Sequence, residues 1–275
     1  MSELLKISSY RDGFVSFSTE ESAPVELPIG TAIAGRYVLT RPLARGGVST
    51  VYQAVDAAAG RRLAVKVVSP RYSRLIRHEA EMTQMLRHPH VPKIFDVDVV
   101  PGPDGRDIGY LALELLQGQS LNSVLDGGPL SVSHALRVAG TAADVLAVAH
   151  RRGVVHRDLT PGNVMLTTNG PKVVDFGLAE LIHPGPAHYA SPADDVYALG
   201  ALMYQMITGA SPYPHRGSPR DATAVRSLAP TPVLAVPGLP HALAELCRAC
   251  MDKNALGRPS AREASFALWS LAALP

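Results

Sequence analysis

The chain has 275 residues, 47% hydrophobic and 18% charged, with a formal net charge of +2. That length suits one domain of two lobes with a sizeable core, and the balanced charge excludes a highly charged disordered chain and a strongly basic nucleic-acid surface. No apolar run reads as a bilayer span, and Met1-Ser2-Glu3-Leu4-Leu5-Lys6 lacks the basic-then-apolar order of a secretion signal, so a cytoplasmic protein without a membrane or nucleic-acid partner is expected.

Residues 1–34 form a polar extension rich in serine. Within it Ile7-Ser8-Ser9-Tyr10 and Phe14-Val15-Ser16-Phe17 flank Arg11-Asp12-Gly13, a hairpin signal that competes with a simple polar leader. From Gly35 the pattern is β-rich. Tyr37-Val38-Leu39 leads into Leu43-Ala44-Arg45-Gly46-Gly47-Val48-Ser49-Thr50-Val51-Tyr52, Ala57-Ala58-Ala59-Gly60 turns the chain, and Leu63-Ala64-Val65-Lys66-Val67-Val68 returns it. The order is strand, glycine loop, strand, turn, and a strand carrying lysine.

A helix is expected from Arg71 to Arg87. It carries Glu79 and Glu81, of which only one can face a given side, because a two-residue step rotates a side chain by about 200°. Two strands then flank Pro101-Gly102-Pro103-Asp104-Gly105, and the second runs from Tyr110 into Glu114-Leu115-Leu116-Gln117-Gly118. After Gly118 the period turns helical, with Leu136, Ala139, Ala143, Leu146 and Ala149 on one face.

That helix leads to His156-Arg157-Asp158-Leu159-Thr160-Pro161-Gly162-Asn163 and then, past a polar turn, to Asp175-Phe176-Gly177. A further apolar helix opens near Asp195. A proline-rich surface stretch runs from Ser211 to Pro237, and late helices surround Cys247 to Lys253 and Arg258-Pro259-Ser260-Ala261. Cys247 and Cys250 share a helix face without a second pair of ligands, so they read as core packing rather than a metal or redox site.

The compound spacing of H-R-D-L-x-x-x-N and D-F-G resembles the bacterial, eukaryotic-like (Hanks-type) serine/threonine protein kinases. The resemblance covers the chain from about Gly35 onward. It implies an α+β, bilobal protein-kinase-like fold: N-lobe and hinge over 35–117, with one main helix, then a larger helical C-lobe over 118–275 and a nucleotide cleft between the lobes. It also implies that the domain reaches the C-terminus with no sensor domain following.

By the same resemblance the cofactors are ATP and Mg2+, with Mn2+ as a substitute, and the partner is a protein substrate. Asp158 would accept the proton of the substrate hydroxyl, and Asn163 and Asp175 would hold the metal. Lys66 would bridge the α- and β-phosphates and pair with Glu79, leaving Glu81 to solvent. The glycine loop keeps one of the family's three glycines, Gly46, aligned on Val51. Leu113 matches the gatekeeper, Leu43, Val51, Ala64 and Met165 would sandwich the adenine, and the backbones of Glu114 and Leu116 would meet its edge. Asp195 matches the residue that anchors the catalytic-loop backbone.

Three departures gather where a substrate would dock. Thr160 replaces the family's lysine. Only nineteen residues separate Asp175 from Asp195, with Pro186 for a threonine and Ala193 for a glutamate. Arg258 keeps the family's arginine without its glutamate, so it should be exposed or re-paired, with Asp194 a candidate. A pseudokinase scaffold and a small-molecule kinase are therefore the competing readings. The retained Lys66, Glu79, Asp158, Asn163 and Asp175 favour phosphoryl transfer over a scaffold, and Arg157, Phe176-Gly177 and Arg258-Pro259, which resemble protein-kinase features, favour a protein acceptor over a small molecule.

Overall fold

Alternating burial along β-branched and aromatic stretches builds the first of two compact units in this computed structural model, which describes residues 24–182, 191–213 and 229–273. The hairpin expected in the leader, Pro186 and most of the proline-rich stretch lie outside those residues.

The first unit runs up to Ser73 and includes Val99–Tyr110. Its strands are β1 (Ala32–Ile33), β2 (Tyr37–Arg45), β3 (Ser49–Asp56) and β4 (Arg61–Val68), joined by the 99–110 portions of β5 (Ile94–Pro101) and β6 (Asp107–Leu113). The sheet order is β1-β2-β3-β4-β6-β5, with the first four strands successively antiparallel. On β3, Tyr52, Ala54 and Asp56 point inward at the two-residue period of a strand. Register shifts in β2 flank Pro42, which has no N–H to give the ladder.

Asp56 staples the turn between β3 and β4. Its carboxylate receives both Arg36 Nε and Nη2 at 2.8 Å and the amides of Ala58 and Ala59, and the Arg36 guanidinium holds its pKa down at about 2. This fold-stabilising contribution is present above the ordinary carboxylate pKa and is lost as pH falls toward 2.

The second unit comprises Arg74–Asp98 and the chain from Leu111. It takes all but the first residue of α1 (Ser73–Leu86), then β7 (Gly118–Ser120), α2 (Leu121–Leu125), α3 (Val132–Arg151), β8 (Val154–Val155), β9 (Val164–Thr167), β10 (Gly170–Val173), β11 (Glu180–Leu181), α4 (Pro192–Thr208), α5 (His241–Cys250) and α6 (Ala261–Ala272). A Cβ at Gly118 would overlap the Leu166 carbonyl, so glycine allows β7 to lie against β9.

The axis of this unit is α3, capped by Ser131, whose side chain accepts the His134 N–H. By length and composition α3 could cross a bilayer, against the expectation that no apolar run qualifies, but 67% of its apolar window is buried inside the fold. Leu136, Ala139, Ala143, Leu146 and Ala149 all join the core there. α4 starts on a reciprocal Ser191–Asp194 capping box with Pro192 in its first turn, and stops at left-handed Gly209.

Cys247 and Cys250 sit fully buried on α5, with Cys247 Sγ 3.4 Å from the Gly200 carbonyl. Burial pushes both thiols up to about 12. Since the thiolate is the reactive form, iodoacetamide at neutral pH should leave both unmodified in the native protein and label both after unfolding, as read by intact mass. Rapid native labelling would contradict this packing.

Candidate active site

The site in the second unit is built on the turn that follows β8. Asp195, in the first turn of α4, has a fully buried side chain that accepts the backbone N–H of His156 and of Arg157, each at 2.8 Å. His150 Nε2, near the end of α3, reaches the same carboxylate at 2.8 Å. One buried anion therefore gathers α3, α4 and the turn at 156–158. Helix-terminal N–H groups favour a carboxylate at that end of α4.

The turn is strained. Arg157 takes a left-handed φ of 67° and Asp175 one of 63°, conformations that cost a side-chain-bearing residue roughly 1–2 kcal/mol. His156 is buried, with its ring centroid 4.5 Å from that of Phe176, and burial lowers its pKa and favours the neutral ring. Its Nδ1 accepts the Asp158 N–H.

Asp158 is thus held from behind, with its carboxylate half-buried. Asn163 Nδ2 donates to both the backbone oxygen and Oδ2 of Asp158, each at 2.8 Å. Burial raises the Asp158 pKa, against the lowering effect of the Asn163 hydrogen bond and of His156. Pro161–Asn163 forms a single 3-10 turn whose leading residue, Thr160, is exposed.

The antiparallel hairpin of β9 and β10 sets Lys172 opposite Met165 and Val173 opposite Val164, and the Val174 N–H donates to the Asn163 carbonyl. The chain beyond β10 then delivers Asp175, which is exposed and accepts the Gly177 N–H at 3.2 Å. A Cβ at Gly177 would stand 3.0 Å from Asp175 Oδ1 and 3.6 Å from Glu79 Oε2, so glycine leaves room for Glu79 beside this segment.

Of the two acids on α1, Glu79 is 8% exposed and Glu81 faces solvent. His78 Nε2, which must donate because its partner is a carbonyl, bonds Ala179 O at 2.6 Å and ties α1 to the segment after Asp175. Leu116 and Met165 are half-buried. Glu114 is also half-buried, and its side chain is engaged by Lys172.

The first unit carries the other expected site residues on adjoining strands. Lys66 lies opposite Val51 in the β3–β4 pair and is half-buried, Ala64 opposite Gln53 is buried, and Leu43 near the end of β2 is exposed. Gly46 stands in the tight loop that follows, its N–H bonded to Ser49 O at 2.8 Å.

A protein kinase domain model matches residues 37–270. This chain belongs to the bacterial Hanks-type protein kinases. It is 35% identical over 255 residues to serine/threonine-protein kinase PknA of Mycobacterium tuberculosis, covering 82% of this chain and 58% of that relative. It is 35% identical to a serine/threonine-protein kinase, drp72, of Corynebacterium efficiens over 64% of this chain and 39% of the relative. For the probable serine/threonine-protein kinase PknB of Bifidobacterium longum the figures are 31% identity, 83% and 38%. The chain thus spans well under two thirds of the length of these relatives. The sheet and helices described above are the β-rich N-lobe and helical C-lobe of the kinase fold.

The family uses ATP with a divalent metal, and the donors of this kinase domain suit such an ion. The hydrogen bonds of Asn163 to Asp158 use its Nδ2, so its Oδ1 oxygen could hold such an ion, and the Asp175 carboxylate lies close enough to Asp158 to raise its pKa. An all-oxygen set with few protein ligands suits a small hard cation that keeps water and phosphate oxygens.

One polar feature of the kinase domain has no signal in local sequence, and a second is expected there only in part, through Asp194. Glu180 on β11 forms an ion pair with Arg157, and β11 is itself paired with β8. Arg258, only 9% exposed, is re-paired rather than stranded. Its Nη1 donates to the Ala193 carbonyl at 2.7 Å, its Nε to the Asp252 carbonyl at 2.8 Å, its guanidinium lies 4.8 Å from the Tyr197 ring centroid, and Asp194 Oδ1 stands 3.7 Å away. Backbone carbonyls carry most of the load that the family's glutamate would bear.

Proposed function

We propose that this kinase domain transfers the γ-phosphate of ATP to a serine or threonine hydroxyl of a protein, with Mg2+ as the metal and Mn2+ as its substitute. The observation that carries the reading is the Asp158–Asn163 unit held by the buried Asp195. It presents a half-buried carboxylate, with a raised pKa, where a hydroxyl proton can be accepted, and an amide oxygen for metal beside it.

In this reading Asp158 takes the proton of the attacking hydroxyl, and Asn163 and Asp175 hold the metal, which neutralises phosphate charge when bound. Lys66 binds the α- and β-phosphates, oriented by Glu79, and the backbone at Gly46 closes over them. Leu43, Val51, Ala64 and Met165 enclose the adenine, and the backbones of Glu114 and Leu116 meet its edge. The purified protein should place label from γ-labelled ATP on protein when Mg2+ or Mn2+ is added, and an Asp158→Asn control should not. Nucleotide binding without any label would instead make it a pseudokinase, and label on metabolites alone a small-molecule kinase.

Arg157 already has an internal carboxylate partner in Glu180, and residues 178–190 contain no serine or threonine. Activity should therefore be unchanged after phosphatase treatment, with autophosphorylation mapping to the serine-rich leader. A main phosphosite between Leu178 and Pro192, with activity lost on its removal, would refute this.

A further inference from the structure

Three segments of the second unit meet at one carboxylate. Glu114, the first residue after β6, donates its N–H to the Lys93 carbonyl at 2.8 Å, and its side-chain Oε2 accepts the Lys93 N–H at 3.1 Å. Lys172 on β10 donates to both carboxylate oxygens of Glu114, at 2.7 and 2.8 Å. The lysine side chain is only 9% exposed and the glutamate 27%.

The loop that supplies Lys93 grips β10 a second time. His90 O accepts the Val173 N–H at 2.9 Å, and His90 Nδ1 bonds the Pro171 carbonyl at 2.7 Å, so the ring must donate there. This loop leaves α1, the helix that carries Glu79, through the left-handed residue Arg87. β10 ends two residues before Asp175. Glu114 therefore ties together the chain leaving α1, the segment 114–116 and the strand leading to Asp175.

A buried lysine needs a partner, but its need would be met equally well by a carboxylate on any neighbouring element. Here the partner is the residue whose backbone begins the segment assigned to the base, and the lysine lies three positions before the residue assigned to the metal. A shift of either segment must break a desolvated, two-pronged ion pair, so the pair fixes the distance between them.

We propose that Glu114 and Lys172 are a positioning pair for nucleotide, holding the base-facing segment 114–116 in register with Asp175 so that one ligand can satisfy both ends at once. This rests on the nucleotide reading given above. The pair touches neither the transferred phosphate nor the acceptor. Its effect belongs to the gain in affinity that a triphosphate with metal enjoys over a nucleoside that reaches only the base-facing segment.

The test compares wild type, Glu114→Gln, Lys172→Met, the double variant Glu114→Gln/Lys172→Met and the reversed pair Glu114→Lys/Lys172→Glu. For each, thermal melting gives Tm, and calorimetry well below Tm gives Kd for adenosine and for ATP with Mg2+. In the single variants the ratio of adenosine Kd to ATP Kd is expected to fall on the order of tenfold, and the reversed pair to recover part of that ratio. Glu114→Gln retains an acceptor for the Lys93 N–H, and the double variant leaves no lone buried charge, so these two read the effect even where Lys172→Met fails to fold. A ratio equal to wild type in folded variants, with only Tm lowered, would overturn the inference and leave the nucleotide reading intact. Wild type that binds neither ligand would overturn the nucleotide reading itself, and the inference with it.

Discussion

Asp158→Asn should cut phosphotransfer by about 10²–10⁴-fold, the usual contribution of a positioned general base, while nucleotide affinity stays close to wild type. Asn163 Nδ2 donates to Asp158 Oδ2, and an asparagine at 158 can still accept that bond through its amide oxygen, so the local geometry survives while the proton acceptor is lost. The pH dependence gives a second signature. Burial raises the Asp158 pKa, so the acid limb of kcat/KM should lie above the ordinary aspartate range in wild type.

The same shift has a stability consequence of definite sign. A carboxyl whose folded-state pKa is raised stabilises the fold most below its unfolded pKa, and that contribution is lost as pH rises through the folded value. At neutral pH the ionised Asp158 therefore works against folding. Asp158→Asn should melt at or above the wild-type temperature at pH 7 and lose that advantage below about pH 4, the ordinary range for aspartate. Activity retained within about tenfold of wild type, well short of the loss expected for a base, would remove Asp158 from the role of proton acceptor.

Residues whose identity follows from chemistry at a fixed spacing were legible in the sequence, because H-R-D-L-x-x-x-N and D-F-G constrain side-chain type and separation together. The core face of α3 was legible too, since Leu136, Ala139, Ala143, Leu146 and Ala149 repeat at helical steps and do meet the core. What holds the site in place was harder to read. Glu180 reaches Arg157, Lys172 reaches Glu114 and His78 reaches Ala179 across long separations in the chain, and no periodicity marks a polar pair made in three dimensions.

Arg258 illustrates a different limit. The sequence shows that the glutamate partner is gone, but a guanidinium has five N–H donors and can spread them over carbonyls that every residue carries. Re-pairing with Ala193 and Asp252 is therefore invisible at the level of residue type. The hydropathy of α3 shows the converse. An apolar helix of twenty residues satisfies the length of a bilayer span, and only its packing identifies it as the core helix of a lobe.

Asp195→Ala is expected to have the largest structural effect of any single change at the site. Its carboxylate is wholly buried and accepts three hydrogen bonds, two of them from the backbone N–H groups of His156 and Arg157. Truncation leaves those two donors and His150 Nε2 without this acceptor. Each unmet buried group costs about 1–3 kcal/mol, and removal of a buried charge from such a network roughly 3–5 kcal/mol in all. For a protein of this size that corresponds to a fall in Tm of about 6–20 °C.

Activity should fall as well, even when assayed cold on protein that is still folded. Arg157 holds a left-handed φ next to Asp158, and without the anchor the strained turn can relax and carry the carboxylate out of place. Asp195→Asn is the sharper probe, because its amide must point an NH2 donor at an N–H donor on one side. It should recover only part of the stability and little of the activity. An Asp195→Ala protein that melts within about 2 °C of wild type, or turns over at the wild-type rate, would show that the turn at 156–158 is held by its other contacts and that the buried anion is dispensable.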